Sequence, residues 1–201
     1  MDARLDFLQE LGNIGASHAT TALSHMLSGK RLKLIVPKAR VLSFSEAAQF
    51  INSSEDIVTC IYMQVLEELK GHIVFILPIE SSINLASLLL AENLTGLSEL
   101  AESALLEVGN IMLGSYLTAL SFLMKVRINP TVPVIAVDMV GAIWQSILAN
   151  ANVVDSVTVI DTHFSTTYTQ LKGHIIFLPS DNSFEKAFSK LYQGLVLEDV
   201  E

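Results

Sequence analysis

Two short segments of the chain place a carboxylate three residues before a carboxamide: Glu10 precedes Asn13, and Glu107 precedes Asn110. On a helix, residues with this spacing are neighbours on one surface. A carboxamide is neutral and offers a carbonyl acceptor and two N–H donors, so it can orient a water molecule for in-line attack on phosphorus. A carboxylate beside it can accept a salt bridge from a lysine of a phosphorylated partner. The two pairs therefore predict phosphoryl chemistry.

The alternative interpretation of one such pair is an ordinary solvated helix face. Repetition of the pair with flanking Gly and Ile favours a function, although duplication by itself preserves some residues by descent. Glycine inside a helix costs about 1 kcal/mol relative to alanine, so glycines near the pairs indicate close backbone approach, by a partner helix of the fold or by a docking protein. Of the two, we favour packing inside the fold. These glycines are Gly12, Gly15, Gly109 and Gly114.

The chain contains an internal repeat. The segment Glu-Leu-Gly-Asn-Ile at 10–14 matches Glu-Val-Gly-Asn-Ile at 107–111. The segment Leu-Lys-Gly-His-Ile-Val-Phe at 69–75 matches Leu-Lys-Gly-His-Ile-Ile-Phe at 171–177. Two matches in the same order predict a duplicated unit.

Hydrophobic periodicity predicts the same series of elements in both halves: a long helix, a strand containing proline, a short helix, a β-hairpin and a closing helix. We expect an α+β, two-layer fold in which repeats 1–96 and 97–201 form one compact domain with pseudo-two-fold symmetry. One antiparallel sheet of about six strands is shared by both halves, and the two long helices present the sites. The predicted ranges are 2–27 and 99–124 for the long helices, 32–44 and 126–137 for the strands with proline, 45–51 and 139–150 for the short helices, 57–66 with 72–77 and 157–168 with 174–178 for the hairpins, and 81–92 and 182–192 for the closing helices.

Composition excludes several classes of protein. A formal net charge of −9 argues against nucleic acid as the partner, because polyanions are bound by clustered Lys and Arg. The single cysteine, Cys60, excludes an intramolecular disulfide and fits a reducing cytoplasm. The first residues lack a secretory pattern, and the best apolar run, 83–91, is far shorter than the roughly 20 residues of a membrane span. We expect a cytoplasmic protein with a protein partner and without membrane insertion.

The histidines do not predict a metal site. His72 and His174 occupy equivalent strand positions in separate repeats and have no cysteine or carboxylate at ligand spacing. His18 and His25 lie on the first helix without a third ligand. Cys60 lies in an alternating apolar run, which predicts a small buried side chain.

The surroundings of the two pairs resemble the CheC-type phosphatases of bacterial and archaeal chemotaxis, which are related to CheX and to the flagellar switch protein FliY. The family pattern is Asp or Ser, three residues, Glu, two residues, Asn, then 22 residues and Pro, and the second half matches it without a gap. In the first half the proline comes one residue late, and Ser17-His18 replaces the common Gly-Asn. The matching residues are Ser103, Glu107, Asn110 and Pro133 in the second half, and Asp6, Glu10, Asn13 and Pro37 in the first.

The resemblance implies hydrolysis of the aspartyl phosphate of the response regulator CheY. By this resemblance, Asn13 and Asn110 insert into the active site of the regulator and position the water. Glu10 and Glu107 pair with its lysine. The chain is then expected to need no cofactor of its own, since Mg²⁺ belongs to the phosphorylated regulator. The motif positions with a supporting role are Asp6 and Ser103.

The same resemblance implies a second partner, the deamidase CheD. In the family, CheD docks on the helix that corresponds to 139–150, and the candidate contacts are Asp138 and Trp144, of which Trp144 also fits a core position. A non-enzymatic adaptor that binds CheD or the flagellar switch is therefore the alternative to a phosphatase, with a metal-dependent hydrolase as a distant third. We expect a monomer, because two complete copies in one chain point to the CheC type rather than to a single-site dimer.

Overall fold

The computed structural model describes residues 3–26, 33–35, 39–51, 53–150, 156–165 and 170–198. Over these residues, the order helix, strand, strand, helix, strand, strand, helix occurs twice. The boundary between repeats at 96/97 falls in the loop between the two series and stays a prediction. The first series is α1 (Ala3–Met26), β1 (Lys33–Ile35), β2 (Ala39–Ser43), α2 (Phe44–Ile51), β3 (Ile57–Glu67), β4 (Gly71–Pro78) and α3 (Ile79–Leu90). The second is α4 (Glu99–Met124), β5 (Ile128–Pro130), β6 (Val134–Met139), α5 (Val140–Asn150), β7 (Ser156–Ser165), β8 (Gln170–Pro179) and α6 (Ser183–Glu198).

The described strands form one antiparallel sheet. Its order is β1-β7-β8-β4-β3-β5, with β2 also paired to β7 and β6 also paired to β3. The hairpins β3–β4 and β7–β8 meet at the centre, where β4 pairs with β8. Eight strands of the described chain thus occupy six positions across the sheet. This confirms the predicted α+β fold with an antiparallel sheet shared by both halves.

Each proline-containing segment was predicted as one strand with an edge position or a bulge at the proline, and the single strand is wrong, because each segment consists of two short strands. In the second half, β5 and β6 flank residues 131–133, and the register against β3 shifts by one residue between them. Proline has no N–H for the ladder, so Pro133 favours a bulge here. Thr131 spans the break, since its N–H donates to the Gln64 carbonyl at 2.9 Å and its hydroxyl accepts from the Gln64 N–H at 3.1 Å. The strands β1 and β2 show the same one-residue shift against β7, and Pro37 lies outside the described residues.

Helices cover both faces of the sheet. One face packs against α1, α3, α4 and α6 and contains the larger cluster of buried apolar side chains. The other face packs against α2 and α5 in a smaller cluster. On β4, Ile73 and Phe75 belong to the first cluster, whereas Val74 and Ile76 belong to the second. Because this central strand is apolar on both faces, both faces must be covered by helices. The helices α2 and α5 cover the second face and form a layer in addition to the two that were predicted.

The helix α4 has the predicted range, Glu99–Met124. It begins after Ser98, whose hydroxyl oxygen accepts from the Ala101 N–H at 3.3 Å, as an N-cap residue does. It ends at Lys125, which adopts a left-handed conformation with φ 52° and donates its N–H to the Ser121 carbonyl. Both ends are therefore set by local residues, and the helix holds its exposed side chains on a regular backbone.

By length and composition, α4 is also apolar enough to cross a membrane, with a mean hydropathy of 1.3. The expectation that 83–91 is the best candidate for a span is therefore wrong. Half of the apolar window, 50%, is buried inside the fold, and the helix packs against α1 and the sheet. Its hydropathy follows from its place in the larger core cluster.

Candidate functional site

Each Glu-Asn pair lies on the outward face of a long helix. Glu10 and Asn13 are exposed on α1, and Glu107 and Asn110 are exposed on α4. In both pairs the two intervening residues are buried. One side of each helix therefore packs on the core while the carboxylate and the carboxamide lie together on the opposite side, in contact with solvent.

The four side chains make no hydrogen bond or ion pair with any other described residue. Intramolecular bonds would compete with a partner for the donors and acceptors of these groups. Because such bonds are absent within the described chain, both carboxamides keep a free acceptor and two free donors, and both carboxylates keep all their acceptor positions. The pairs are thus available to a second molecule without prior rearrangement.

Two of the four glycines are required by packing inside the fold. A Cβ at Gly109 would lie 2.5 Å from the Ile61 side chain of β3, and one at Gly15 would lie 2.8 Å from the Tyr116 ring of α4. These distances are shorter than Cβ contacts allow, which confirms close backbone approach within the fold at both positions. At Gly114, by contrast, a Cβ would meet no other part of the described chain within 4 Å. Packing therefore does not explain the glycine at 114.

The two supporting positions lie one turn before the glutamates. Asp6 is exposed on α1 and Ser103 is exposed on α4. The Ser103 hydroxyl donates to the Glu99 carbonyl at 2.8 Å, so it is bonded to its own helix rather than to the Glu-Asn pair. The supporting role of both residues stays a prediction.

The face of α4 that carries Glu107 and Asn110, here called the outward row, continues along the helix before and after the pair. Leu100 is 63% exposed and Phe122 is 75% exposed, and both lie at helical spacing from Glu107 and Asn110. The sequence alone does not distinguish them from core residues, because most apolar residues on an apolar helix are buried. The signal that could have found them was their spacing from the pair.

The two residues predicted to bind CheD differ in accessibility. Asp138 is exposed at the end of β6, directly before α5, and its Oδ1 accepts from the Met139 N–H at 2.7 Å. Trp144 is 4% exposed and packs in the cluster between the sheet, α2 and α5. The indole is thus a core side chain, and a role of either residue in partner binding stays a prediction.

Two further candidate residues, Cys60 and His72, are buried. Cys60 is 4% exposed, and burial raises the pKa of its thiol to about 12. His72 is 3% exposed with its Nδ1 2.7 Å from the Tyr62 hydroxyl, and burial lowers its pKa. These three residues line a cleft of about 440 Å³ beside α5. Over the described part of the chain, no group of three His, Cys, Asp or Glu side chains is placed to hold a metal ion.

Known proteins resemble this chain in sequence. The model of the CheC-like family matches residues 4–38 and 100–137, which include both Glu-Asn pairs. The CheY-P phosphatase CheC of Bacillus subtilis (strain 168) is 35% identical over 202 residues, which cover 96% of this chain and 96% of the relative.

Solved structures resemble it in fold. The crystal structure of Thermotoga maritima FliY matches with a TM-score of 0.76 at 22% identity, over 96% of this chain and 98% of that chain. A chain in the crystal structure of the CheX–CheY–BeF₃–Mg²⁺ complex from Borrelia burgdorferi matches with a TM-score of 0.54 at 16% identity, over 89% of this chain and 100% of that chain. At these identities the two structures support the fold alone. The identity to the Bacillus subtilis relative over nearly the whole of both chains shows that this chain belongs to the CheC-like family.

Proposed function

We propose that this protein hydrolyses the aspartyl phosphate of a CheY-type response regulator at two sites, one on α1 and one on α4. The observation that carries this proposal is the doubled pair of exposed Glu and Asn side chains, free of bonds to the described chain and fixed on regular helices. A carboxamide and a carboxylate can orient water and accept a salt bridge, so each pair fits an active centre that the partner completes. The substrate is therefore a phosphorylated protein that brings its own phosphoryl group and Mg²⁺.

Two relatives support the choice of substrate. The Bacillus subtilis relative is named a CheY-P phosphatase, and it aligns with nearly the whole of this chain. A protein of the same fold has been crystallised together with CheY, BeF₃ and Mg²⁺. A CheY-type receiver is thus a partner that this fold is known to accommodate.

The chemistry divides between carboxamide and carboxylate. Asn13 or Asn110 enters the receiver and holds a water in line with the phosphorus–oxygen bond of the aspartyl phosphate. As the water oxygen bonds to phosphorus, the bond to the aspartyl oxygen breaks, and inorganic phosphate leaves the free carboxylate behind. A neutral carboxamide can approach the anionic phosphoryl group without repulsion. The receiver's own Mg²⁺ neutralises the phosphoryl oxygens.

The glutamates orient the complex. Glu10 or Glu107 accepts a salt bridge from the receiver's lysine, and this fixes the position of the neighbouring carboxamide. Holding water and phosphorus in a reactive geometry is the main source of rate in phosphoryl transfer. Since Glu and Asn lie one turn apart on a rigid helix, one salt bridge is enough to align the water-binding group.

The test is the decay of a phosphorylated CheY-type receiver with Mg²⁺ after removal of the phosphoryl donor. The parent protein is expected to accelerate decay, and Asn13→Ala plus Asn110→Ala is expected to lower that acceleration about a hundredfold, as loss of one positioned polar contact does in other enzymes. A matched control is Asn84→Ala plus Asn129→Ala, which removes two exposed asparagines elsewhere. Equal decay with the parent and with the first double variant would refute the proposal.

The second candidate is a non-enzymatic adaptor that docks the deamidase CheD. The observation that favours it is the exposed carboxylate of Asp138 beside α5, on the opposite side of the sheet from α1 and α4. CheD binding that Asp138→Ala abolishes, with receiver decay unaffected by the parent protein, would favour the adaptor. Binding together with accelerated decay would show that one chain performs both roles on separate faces.

A further inference from the structure

The outward row of α4 offers more than the Glu107–Asn110 pair. Leu100 lies two turns before Glu107 and is 63% exposed, and Phe122 lies beyond Asn110 and is 75% exposed. Gly114 lies one turn after Asn110 on the same row, in open space. At about 100° per residue, all five positions share roughly a third of the helix circumference. One exposed apolar side chain needs no explanation, but these residues flank the candidate site on both sides along a single face.

The helix α1 provides an internal comparison. When Glu10 is aligned with Glu107, the positions of Leu100, Gly114 and Phe122 are taken by Ala3, Ser17 and His25. Ser17 and His25 are exposed, so the row points outward on α1 as well. The two repeats therefore share the Glu-Asn pair and differ at these three positions. There α4 has Leu, Gly and Phe where α1 has Ala, Ser and His, whereas the exposed Thr118 of the same row is matched by the exposed Thr21 of α1.

We propose that Leu100, Gly114 and Phe122 are specificity-determining contacts for the phosphorylated receiver at the α4 site, and that the α1 site binds the receiver without them. This inference rests on the proposed function. It assigns binding to residues outside the motif, whereas the motif residues perform the chemistry. The α1 and α4 sites consequently differ in affinity for one receiver, or in which of several receivers they accept.

The dimensions of the row fit a receiver domain. With a rise of about 1.5 Å per residue, Leu100 and Phe122 lie about 15 Å and about 18 Å from Asn110 along the helix. A standard protein interface buries about 800 Å² on each partner, which corresponds to a patch of about 16 Å radius. A receiver centred on Asn110 therefore covers Leu100, and a contact displaced by a few ångströms along the helix covers Phe122 as well. Aromatic side chains contribute large buried areas at interfaces.

Gly114 contributes to the same surface through its lack of a side chain. Any other residue at this position would project from the helix one turn from Asn110, where the receiver must come close for the carboxamide to enter its active site. Glycine leaves the backbone open to that approach. Packing inside the described fold does not require glycine at this position, whereas close approach of an external partner does.

The first experiment measures binding by calorimetry. The probe is a CheY-type receiver from the same organism, loaded with Mg²⁺ and beryllofluoride as a stable mimic of the phosphoryl group. The background is Glu10→Ala plus Asn13→Ala, so that the α4 site dominates. Phe122→Ala is expected to raise Kd about tenfold, with a smaller rise for Phe122→Leu. The control is Val132→Ala, which shortens a side chain that is 82% exposed at the sheet edge, and Kd should not change.

The second experiment separates KM from kcat in the decay assay, in the same background. Phe122→Ala and Gly114→Ala are expected to raise KM and leave kcat unchanged, because they remove contacts made equally before and during the reaction. Gly114→Ala should raise Tm while it raises KM. A purely structural role would change Tm alone. The converse variant keeps Glu10 and Asn13 and carries Asn110→Ala instead, so that the α1 site dominates. In that background, Ser17→Gly plus His25→Phe should lower KM.

The outcomes separate this inference from the proposed function. Kd values for Phe122→Ala and Leu100→Ala within twofold of the background would overturn the docking surface. If the asparagine variants leave receiver decay unchanged, the proposed function fails, whereas a tenfold loss of binding in Phe122→Ala still supports the surface. Absence of binding by the parent protein overturns both.

Discussion

At the scale of single residues, the neutrality of Asn13 and Asn110 is the property on which the proposed chemistry depends. An anionic phosphoryl group repels a carboxylate but accepts hydrogen bonds from a carboxamide. The negative charge of each pair lies on the glutamate, one turn away, where the proposed mechanism pairs it with a lysine of the partner. The order of the two residues along the helix thus keeps like charges apart and opposite charges together.

The assignment of a neutral role to the asparagine and a charged role to the glutamate predicts the result of an isosteric substitution. In the Asn13→Ala background, Asn110→Asp keeps the shape of the side chain, removes its two N–H donors and adds a negative charge. We expect receiver decay to slow about a hundredfold, to the level of Asn110→Ala, because the carboxylate repels the phosphoryl group. The decay assay measures this directly. Full activity of Asn110→Asp would mean that water is positioned by another group.

The sequence was sufficient to place the Glu-Asn pairs but not the residues around them. A period of 3.6 residues brings Glu10 and Asn13 onto one face, and the buried residues between them fix that face outward. The spacing of Leu100 and Phe122 from the pair places them on the same helix face, but an apolar side chain there also fits a core position, and the elements that pack beside it decide between the two. The sequence also could not show that Gly109 is packed against a neighbour and Gly114 is not, because this depends on which elements lie beside the helix.

At the scale of elements, the long helices are held in place by glycines that admit their neighbours. Gly109 brings α4 onto Ile61 of β3, and Gly15 brings α1 onto Tyr116 of α4. The sites are therefore mounted on helices whose inner faces are tightly packed. A rigid support of this kind lowers the entropy lost when a partner binds, because the backbone that carries the carboxamide is already ordered.

Two alanine substitutions on α4 should have opposite effects on stability. Gly109→Ala would force a Cβ to within 2.5 Å of the Ile61 side chain, so the free energy of unfolding should fall by about 1–3 kcal/mol. Gly114→Ala meets no such contact and should raise it by up to about 1 kcal/mol through helix propensity. Urea unfolding of both variants measures the difference. Destabilisation by Gly114→Ala would contradict the open surroundings of that position.

The hairpin β3–β4 predicts a dependence of stability on pH. Burial lowers the pKa of His72 in the folded protein below its ordinary value, so folding favours the neutral ring. The stabilisation is complete above the ordinary pKa of about 6.5 and is lost as pH falls from there towards the lowered pKa, because the unfolded chain binds a proton first. Tm should therefore decrease on acidification from pH 7 to pH 5.5. His72→Gln should weaken this decrease, and an unchanged pH profile in that variant would rule out His72 as its source.

Element boundaries followed from the sequence where the controlling residues are local. Ser98 caps α4, and the predicted helix 99–124 is correct at both ends. The strands around Pro37 and Pro133 were predicted with either an edge position or a bulge at the proline, and the sequence left this choice open because a bulge depends on the register of the partner strand. The neighbouring strands β3 and β7, from the hairpins, determine that register, and they are distant in sequence.

At the scale of the whole molecule, the central pairing of β4 with β8 joins the two repeats into one sheet. The helices α1 and α4 pack against each other and against the same face of this sheet. The two Glu-Asn pairs are thus separate candidate sites, and no hydrogen bond or ion pair joins them within the described residues. The opposite face of the sheet carries α2, α5 and Asp138.

The most direct measurement is the rate of receiver dephosphorylation by four proteins: the parent, Asn13→Ala, Asn110→Ala and the double variant. Two independent sites predict that kcat/KM of the parent is close to the sum of the values for the two single variants, and that the double variant keeps only about a hundredth of the parent value. A double variant that retains the activity of the parent, or a single variant that abolishes all activity, would contradict the account.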